Sequence, residues 1–398
     1  MRNLFTLLLI LLSVSSHAQR YKKIHFQSIL IDTHNDIPST AIEKGVSFDE
    51  DTRTKTHSDL NRMLQGGVDA QLFSIWCDGN KPQPFQWANR EMDTVLAWTM
   101  RNPQKMMLAF TADDMEKAAR EKKLGVAFGV EGGHMIENDL NKLEALYNKG
   151  ARYMTLTWNN STAWATSAQD ETTTKATGGG ALNAEGKKGL TAFGKSVVKK
   201  MNELGMLVDL SHVGEQTFWD AIYTSTKPVL VSHSCVFTLC PHRRNLNDEQ
   251  IKAIGKNGGV IHLNFYSGFL DPEFEKRSDA FTAKHKREMD SLLKVNPEPY
   301  FMQFYLFEKY PDEVKALRPP LSTLLNHLDY IVKLVGVDHV GLGSDFDGVN
   351  SLPQQLDDVT QYPVITKALL KRGYRKKDIQ KILGGNFLRV LRANERKN

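Results

Sequence analysis

"GLTAFGKSVVKKMNELGMLVDLSHV", Gly189–Val213, contains one unit of the fold. Its first half is amphipathic at helical spacing. Its second half, Met206–Leu210, is a short apolar run that stops at Ser211-His212. Near-continuous apolarity over a few residues is expected of a parallel strand covered on both faces. A helix feeding such a strand, with a metal-ligand type of residue where the strand stops, is the pattern to look for elsewhere in the chain.

It recurs. Short apolar runs lie at Ser28–Thr33, Val68–Trp76, Gly125–Val130, Ala151–Thr157, Met206–Leu210, Pro228–Ser232, Gly259–Phe265 and His339–Gly343. Amphipathic patterns such as "TLLNHLDYIVKLVG" (Thr323–Gly336) separate most of them. Eight strands alternating with helices predict an α/β chain folded as a (β/α)8 TIM barrel. A doubly wound open sheet fits less well, because no glycine-rich phosphate loop follows the first strand. Two segments break the rhythm. Ala165–Gly189 is polar and glycine-rich and reads as a long loop. Leu270–Pro320 is rich in charge and aromatics, with helical runs around Ala280–Lys294 and Met302–Leu317. That insertion, at about 270–320, reads as a lid, an interface element or an inert addition to a single domain spanning 19–398.

The first 18 residues have a short positive start, an apolar run from Leu4 to Val14, and small residues at Ser16 and Ala18. This predicts a signal peptide cleaved before Gln19, hence a secreted or periplasmic protein with no membrane anchor after cleavage. The apolar run is well short of the ~20 residues a spanning helix needs. Hydrophobic residues make up 41% and charged residues 24% of the 398, as in soluble globular enzymes. A net charge of +5 without a basic, aromatic-interleaved stripe gives nucleic-acid binding no support. There are three cysteines, Cys77, Cys235 and Cys240; in an oxidising compartment Cys235 and Cys240 could pair, but the odd count argues against a disulfide framework.

Polar residues gather where the apolar runs stop. The first run ends in Asp32-Thr33-His34-Asn35-Asp36, which puts His34 and Asp36 on one side of an extended chain. The third ends in Val130-Glu131-Gly132-Gly133-His134, with a glutamate too costly to bury unpaired. The fifth supplies His212 and the sixth His233. A lone histidine after an apolar run is more often simply hydrogen-bonded, but four strand ends offering ligand types shift that balance. Three imidazoles and two carboxylates complete two three-ligand sites if Glu131 is shared. His34, Asp36 and Glu131 would hold one metal; Glu131, His212 and His233 would hold the other. Such a set favours two Zn2+, with manganese or iron as alternatives. A water between two such ions would be a hydroxide nucleophile near neutral pH.

Further residues complete the mouth. "GLGSDFDGV" ends the eighth run with Asp345, a candidate proton carrier or amine partner, and with Asp347, which fits a turn better because Gly348 follows. "CPHRRNLND" supplies Arg243 and Arg244, one of which could clamp a carboxylate. Tyr266 ends the seventh run and could reach the same mouth.

"DTHNDIP", "GVEGGH", "RYMTLT", Gly189–His212, "VSHS", "RRN" and "GLGSDFDGV" occur in the order seen in the membrane dipeptidase (renal dipeptidase) family of zinc peptidases, which the chain resembles from about Ile29 to Leu391. The resemblance implies the same barrel. It also implies that His34 and Asp36 bind one zinc, that His212 and His233 bind the other, and that Glu131 bridges them. Arg244 would bind the substrate's C-terminal carboxylate. Asp345 would engage the free amine and donate a proton to the leaving group. The implied substrate is a dipeptide, often with a D-residue at the C-terminal position, and a homodimer is a candidate assembly.

One position departs from the pattern. Where the family reads "TLTH", this chain has Thr157-Trp158. An indole NH donates one hydrogen bond but cannot shuttle a proton or become cationic. Loss of one stabilising donor would lower turnover by ~10²-fold or more. Asn159 or Asn160 is a candidate substitute donor. The alternatives are a related amidohydrolase with an altered amide substrate, and a metal-bound binding protein that has lost catalysis.

Overall fold

The computed structural model describes residues 20–172, 182–295 and 299–396. The proposed signal segment and the centre of the Ala165–Gly189 loop lie outside the described residues.

Nine parallel strands form the sheet: β1 Ile31–Asn35, β2 Ala70–Trp76, β3 Met106–Leu108, β4 Leu124–Glu131, β5 Ala151–Thr155, β6 Leu207–Asp209, β7 Leu230–Ser234, β8 Val260–Leu263 and β9 Val340–Leu342. Pairing runs β2-β1-β9-β8-β7-β6-β5-β4, and β2 pairs with β4 from Ala70↔Gly125 to Trp76↔Glu131. That pairing closes an eight-stranded barrel with the predicted α/β architecture. The ninth strand, β3, was not expected. It pairs with the start of β4, Met106↔Leu124 to Leu108↔Val126, outside the closed ring. Only Met106 of its three residues is buried.

The opening stretch shows why the units form where they do. The helix Ala192–Leu204 begins at Thr191, whose hydroxyl accepts the Gly194 N–H. Such a cap is worth about 1 kcal/mol. Val197, Val198, Met201 and Leu204 form its buried face. It ends at Gly205, whose φ of +81° lets its N–H turn back to the carbonyls of Met201 and Asn202. The chain then enters β6, all of whose residues are buried. Inside the barrel, Ile31, Ala70, Leu72, Ala127, Tyr153, Leu207, Leu230 and Val260 pack with Phe387 and Leu391 of the helix Asn386–Asn394. A larger cluster fills the space between the strands and the surrounding helices.

The insertion is helical throughout its described part: Phe274–Lys284, Lys286–Leu292, Pro299–Lys309 and Pro311–Leu317. Pro311 starts a new helix, where its missing N–H costs no hydrogen bond. Met289, Met302, Phe307 and Val314 from these helices line the same cleft as the strand-end residues. Cys235 and Cys240 do not pair: both thiols are free and buried, donating to the carbonyls of Asn264 and Gly268. No described helix is long and apolar enough to cross a membrane.

Candidate metal centre

His34 and Asp36 leave β1, Glu131 ends β4, His212 follows β6 and His233 lies in β7. All five come together at the C-terminal mouth of the barrel, where residues from different strands converge. Glu131 is central. Its Oε1 lies 2.8 Å from His212 Nε2 and 3.4 Å from His233 Nε2, and its Oε2 lies 3.5 Å from His34 Nε2. Asp36 stands 3.4 Å from His34 Nε2 on the other side. Asp345 Oδ1 is also within 3.9 Å of that nitrogen, so it joins His34 and Asp36 in a cluster of ligand-type atoms. Nothing local to the end of the last strand marks how close Asp345 sits to the first ligand pair.

The three imidazoles are oriented alike, by Tyr153 and Ser232, which no local sequence signal marks, and by Asn159. The Tyr153 hydroxyl donates to the Thr33 carbonyl and stands 2.8 Å from His34 Nδ1. The Ser232 hydroxyl donates to Asp209 and stands 2.8 Å from His233 Nδ1. Asn159 Oδ1 lies 3.1 Å from His212 Nδ1. Each partner presents an acceptor, so each Nδ1 carries the proton and each Nε2 offers a lone pair. His34 Nε2 is buried without a hydrogen-bond partner, and the Nε2 atoms of His212 and His233 approach to 3.0 Å. Facing lone pairs repel unless a cation lies between them and the carboxylates. The donor set therefore fits divalent metal ions, with the ligand types zinc prefers.

Burial would lower His34, but Tyr153, Asp36 and Glu131 outweigh it and raise it well above its ordinary value, so a metal at its Nε2 would take the place of a proton. Burial lowers His212 to about 3, helped by Arg244, and burial with nearby His34 lowers His233, so both are neutral ligands at pH 7. Burial would raise Glu131, but His34, His212 and His233 outweigh it and hold it well below the usual carboxylate range. Burial, then the Asp36 charge, raises Asp345. His212 and Asp345 both have φ of +63°, in the left-handed region that non-glycine residues seldom occupy. The backbone is thus strained at two of the mouth residues.

The remaining candidates separate. Arg244 is buried, lines the cleft, and its Nε has no hydrogen-bond partner; among the described residues its guanidinium makes one hydrogen bond, from Nη2 to the His233 carbonyl, long at 3.4 Å. Tyr266 lines the cleft with its ring edge-on to Phe269 and Phe274. Asp347 is a clamp, as its turn context suggested: it accepts the His57 N–H at 2.6 Å and the Ser58 hydroxyl at 2.5 Å. Trp158 lies three residues beyond the end of β5. Its ring meets Trp76 edge-on at 5.1 Å and stands 6.4 Å from the His212 ring, beside the cluster. Asn159, considered above as a substitute donor, instead offers its oxygen to His212. Asn160 donates to the Ser161 carbonyl. Asn264 was also missed; its Nδ2 donates to Asp345 at 2.7 Å.

A closed (β/α)8 barrel with histidines and carboxylates at the C-terminal ends of its strands is the arrangement of a metal-dependent hydrolase. Sequence comparison specifies which: the profile of the membrane dipeptidase family, peptidase family M19, matches residues 18–398, and the chain belongs to that family. It is a metallopeptidase of the dipeptidase type. An uncharacterized dipeptidase of Schizosaccharomyces pombe is 31% identical over 396 residues, covering 95% of this chain and 83% of the yeast protein. Among solved structures, the probable dipeptidase PvdM of Pseudomonas aeruginosa superposes with a TM-score of 0.77 at 23% identity, covering 96% of this chain and 98% of its own. A metallopeptidase of Rhodobacter sphaeroides, solved with a phosphinate mimic of the dipeptide L-Ala-D-Ala, superposes at 0.70 and 22% identity, covering 92% of this chain and 100% of its own.

Proposed function

We propose that this protein is a secreted or periplasmic dinuclear zinc dipeptidase that accepts a D-residue at the C-terminal position. The observation that carries the reading is the convergence of three Nε2 lone pairs on the two oxygens of Glu131. His34 and Asp36 would hold one ion, His212 and His233 the other, and Glu131 would bridge them. Bound there, two such ions supply an activated water and a Lewis acid for the scissile carbonyl.

The chain's own residues do the rest. Arg244 binds the substrate carboxylate; a buried guanidinium with unspent donors is built for a planar anion. Asp345, held by Asn264, takes the free amine and returns a proton to the departing nitrogen. Arg244 and Asp345 together would restrict the substrate to about two residues. Tyr266 and Trp158 shape the walls. The crystallised L-Ala-D-Ala mimic on the Rhodobacter sphaeroides protein supports the C-terminal D-residue.

One feature favours a second reading. The cleft measures about 2530 Å³ and draws its outer wall from the insertion, more room than a dipeptide fills. A larger amide substrate would use that room. Metal analysis of the purified protein with a panel of L,L, L,D and N-blocked dipeptides tests both readings. Two zinc per chain and cleavage of unblocked dipeptides, abolished in Glu131→Gln and His212→Ala, is expected. Activity retained by either variant in metal-replete protein overturns the assignment, and preferential cleavage of N-blocked substrates favours the larger amide.

A further inference from the structure

We propose that Asn159 is a positioning residue for the second metal cluster, fixing the tautomer and tilt of His212 from the loop that follows β5. This rests on the dinuclear reading above.

The three imidazoles are not held from the same place. His34 and His233 take their Nδ1 partners from barrel strands, and both partners, Tyr153 and Ser232, are fully buried. His212 takes its partner from Asn159, a half-buried loop residue four positions past the end of β5. His212 is also the ligand with left-handed backbone, which an L-residue keeps only when its surroundings hold it.

The same loop supplies that hold. The Asn159 carbonyl accepts the Ser167 hydroxyl at 2.7 Å, which folds the loop back on itself. Ser167 forms a bridge with Val213, and the Ala168 N–H donates to the His212 carbonyl at 2.8 Å. The Gly214 N–H donates to the Thr166 carbonyl at 2.9 Å. His212 is therefore gripped by its backbone and its ring from one loop. An amide oxygen at 159 gives Nδ1–H its acceptor and aims Nε2 at Glu131. Without it the ring can rotate, or move its proton to Nε2 and cease to be a ligand. Partners of this kind typically govern metal affinity by 10–100-fold.

The test is titration of the metal-free full chain with zinc, and with cobalt(II), whose visible absorption reports coordination. In Asn159→Leu one of two equivalents should bind about 10–100-fold more weakly with an altered cobalt spectrum, while the other keeps its affinity. Asn159→Asp, which retains an acceptor oxygen, should bind both equivalents with the wild-type spectrum. Wild-type affinity and spectrum at both sites in Asn159→Leu would overturn the inference. So would equal weakening at both sites together with a lowered melting temperature of the metal-free protein, which marks a general structural role. A wild-type protein binding fewer than two equivalents would overturn the dinuclear reading and this inference with it.

Discussion

The Tyr153 hydroxyl lies between the Thr33 carbonyl and His34 Nδ1, 2.8 Å from each. It links β5 to β1 across the barrel interior, and a methyl placed on Gly129 would sit 1.8 Å from the Tyr153 ring. The tyrosine occupies space that only a glycine leaves open. Tyr153→Phe removes the acceptor from His34 and the donor from Thr33. Two buried groups lose partners, so stability should fall by about 1–3 kcal/mol in a denaturant melt. Affinity for one zinc equivalent should drop about 10–100-fold in the same preparation. Unchanged zinc affinity would show that the hydroxyl does not orient His34.

Asp69, far along the chain from the ligands, should govern part of the acid stability profile. Burial pushes its carboxyl up to about 6, against a partial offset from the Leu30 N–H it accepts. Between the ordinary carboxylate value and pH 6 the folded state keeps a proton that the unfolded chain has lost. Its contribution to stability is therefore fully present below pH 4 and is lost as pH rises through 6. The penalty is at most about 3 kcal/mol for a shift of this size. Asp69→Asn keeps an acceptor for Leu30 and should flatten that slope, raising stability near pH 7. Melting curves from pH 4 to 8 that superpose for the two proteins would refute this.

How much of this was legible in the sequence depends on the distance over which each group acts. His34, Asp36, Glu131, His212 and His233 each stand at or just past an apolar run, and residue type alone marks them. The barrel follows from the same runs. Tyr153 and His34 are 119 residues apart, and their meeting depends on how β1 and β5 face one another inside the closed barrel, which no local pattern encodes. Ser232 and Asp209 are likewise joined only by the pairing of β6 with β7. β3 lies in an apolar run, Met106–Phe110, but pairs over only three residues outside the ring, too short to stand out beside the barrel strands. Asn159 stands out by its chemistry, but that its oxygen faces His212 depends on a loop contact that no local pattern encodes.

Arg244 should separate substrates by their C-terminus. Burial lowers its guanidinium to about 10, with Glu131 and Asp345 opposing that fall, so it stays cationic at pH 7. Arg244→Met should cut kcat/KM for free dipeptides by about 10²-fold or more, mainly through KM, because a charged pair in a dry site is lost. Dipeptide amides, which bring no carboxylate, should be nearly unaffected. Equal losses on both substrates would mean that Arg244 supports the fold of the mouth instead of reading the carboxylate.

Trp158 lies just past β5 beside the ligand cluster, and the geometry says what its side chain affects. Its ring stands edge-on to Trp76 and beside His212, but no ligand depends on it for a hydrogen bond; that task falls to its neighbour Asn159. The Trp76 backbone N–H donates to the buried Glu91 at 2.7 Å, and its ring meets Trp158, so the two indoles form a wall of the cleft. Trp158→His should leave zinc content at its wild-type value, since the imidazole supports are untouched. It should raise kcat on small unblocked dipeptides by about 10²-fold, the usual worth of one well-placed donor to a developing oxyanion. It should also weaken any preference for large apolar side chains, because half of the indole wall is gone. Lost zinc would place Trp158 among the metal supports, and unchanged rate with unchanged specificity would place it outside the substrate's reach altogether.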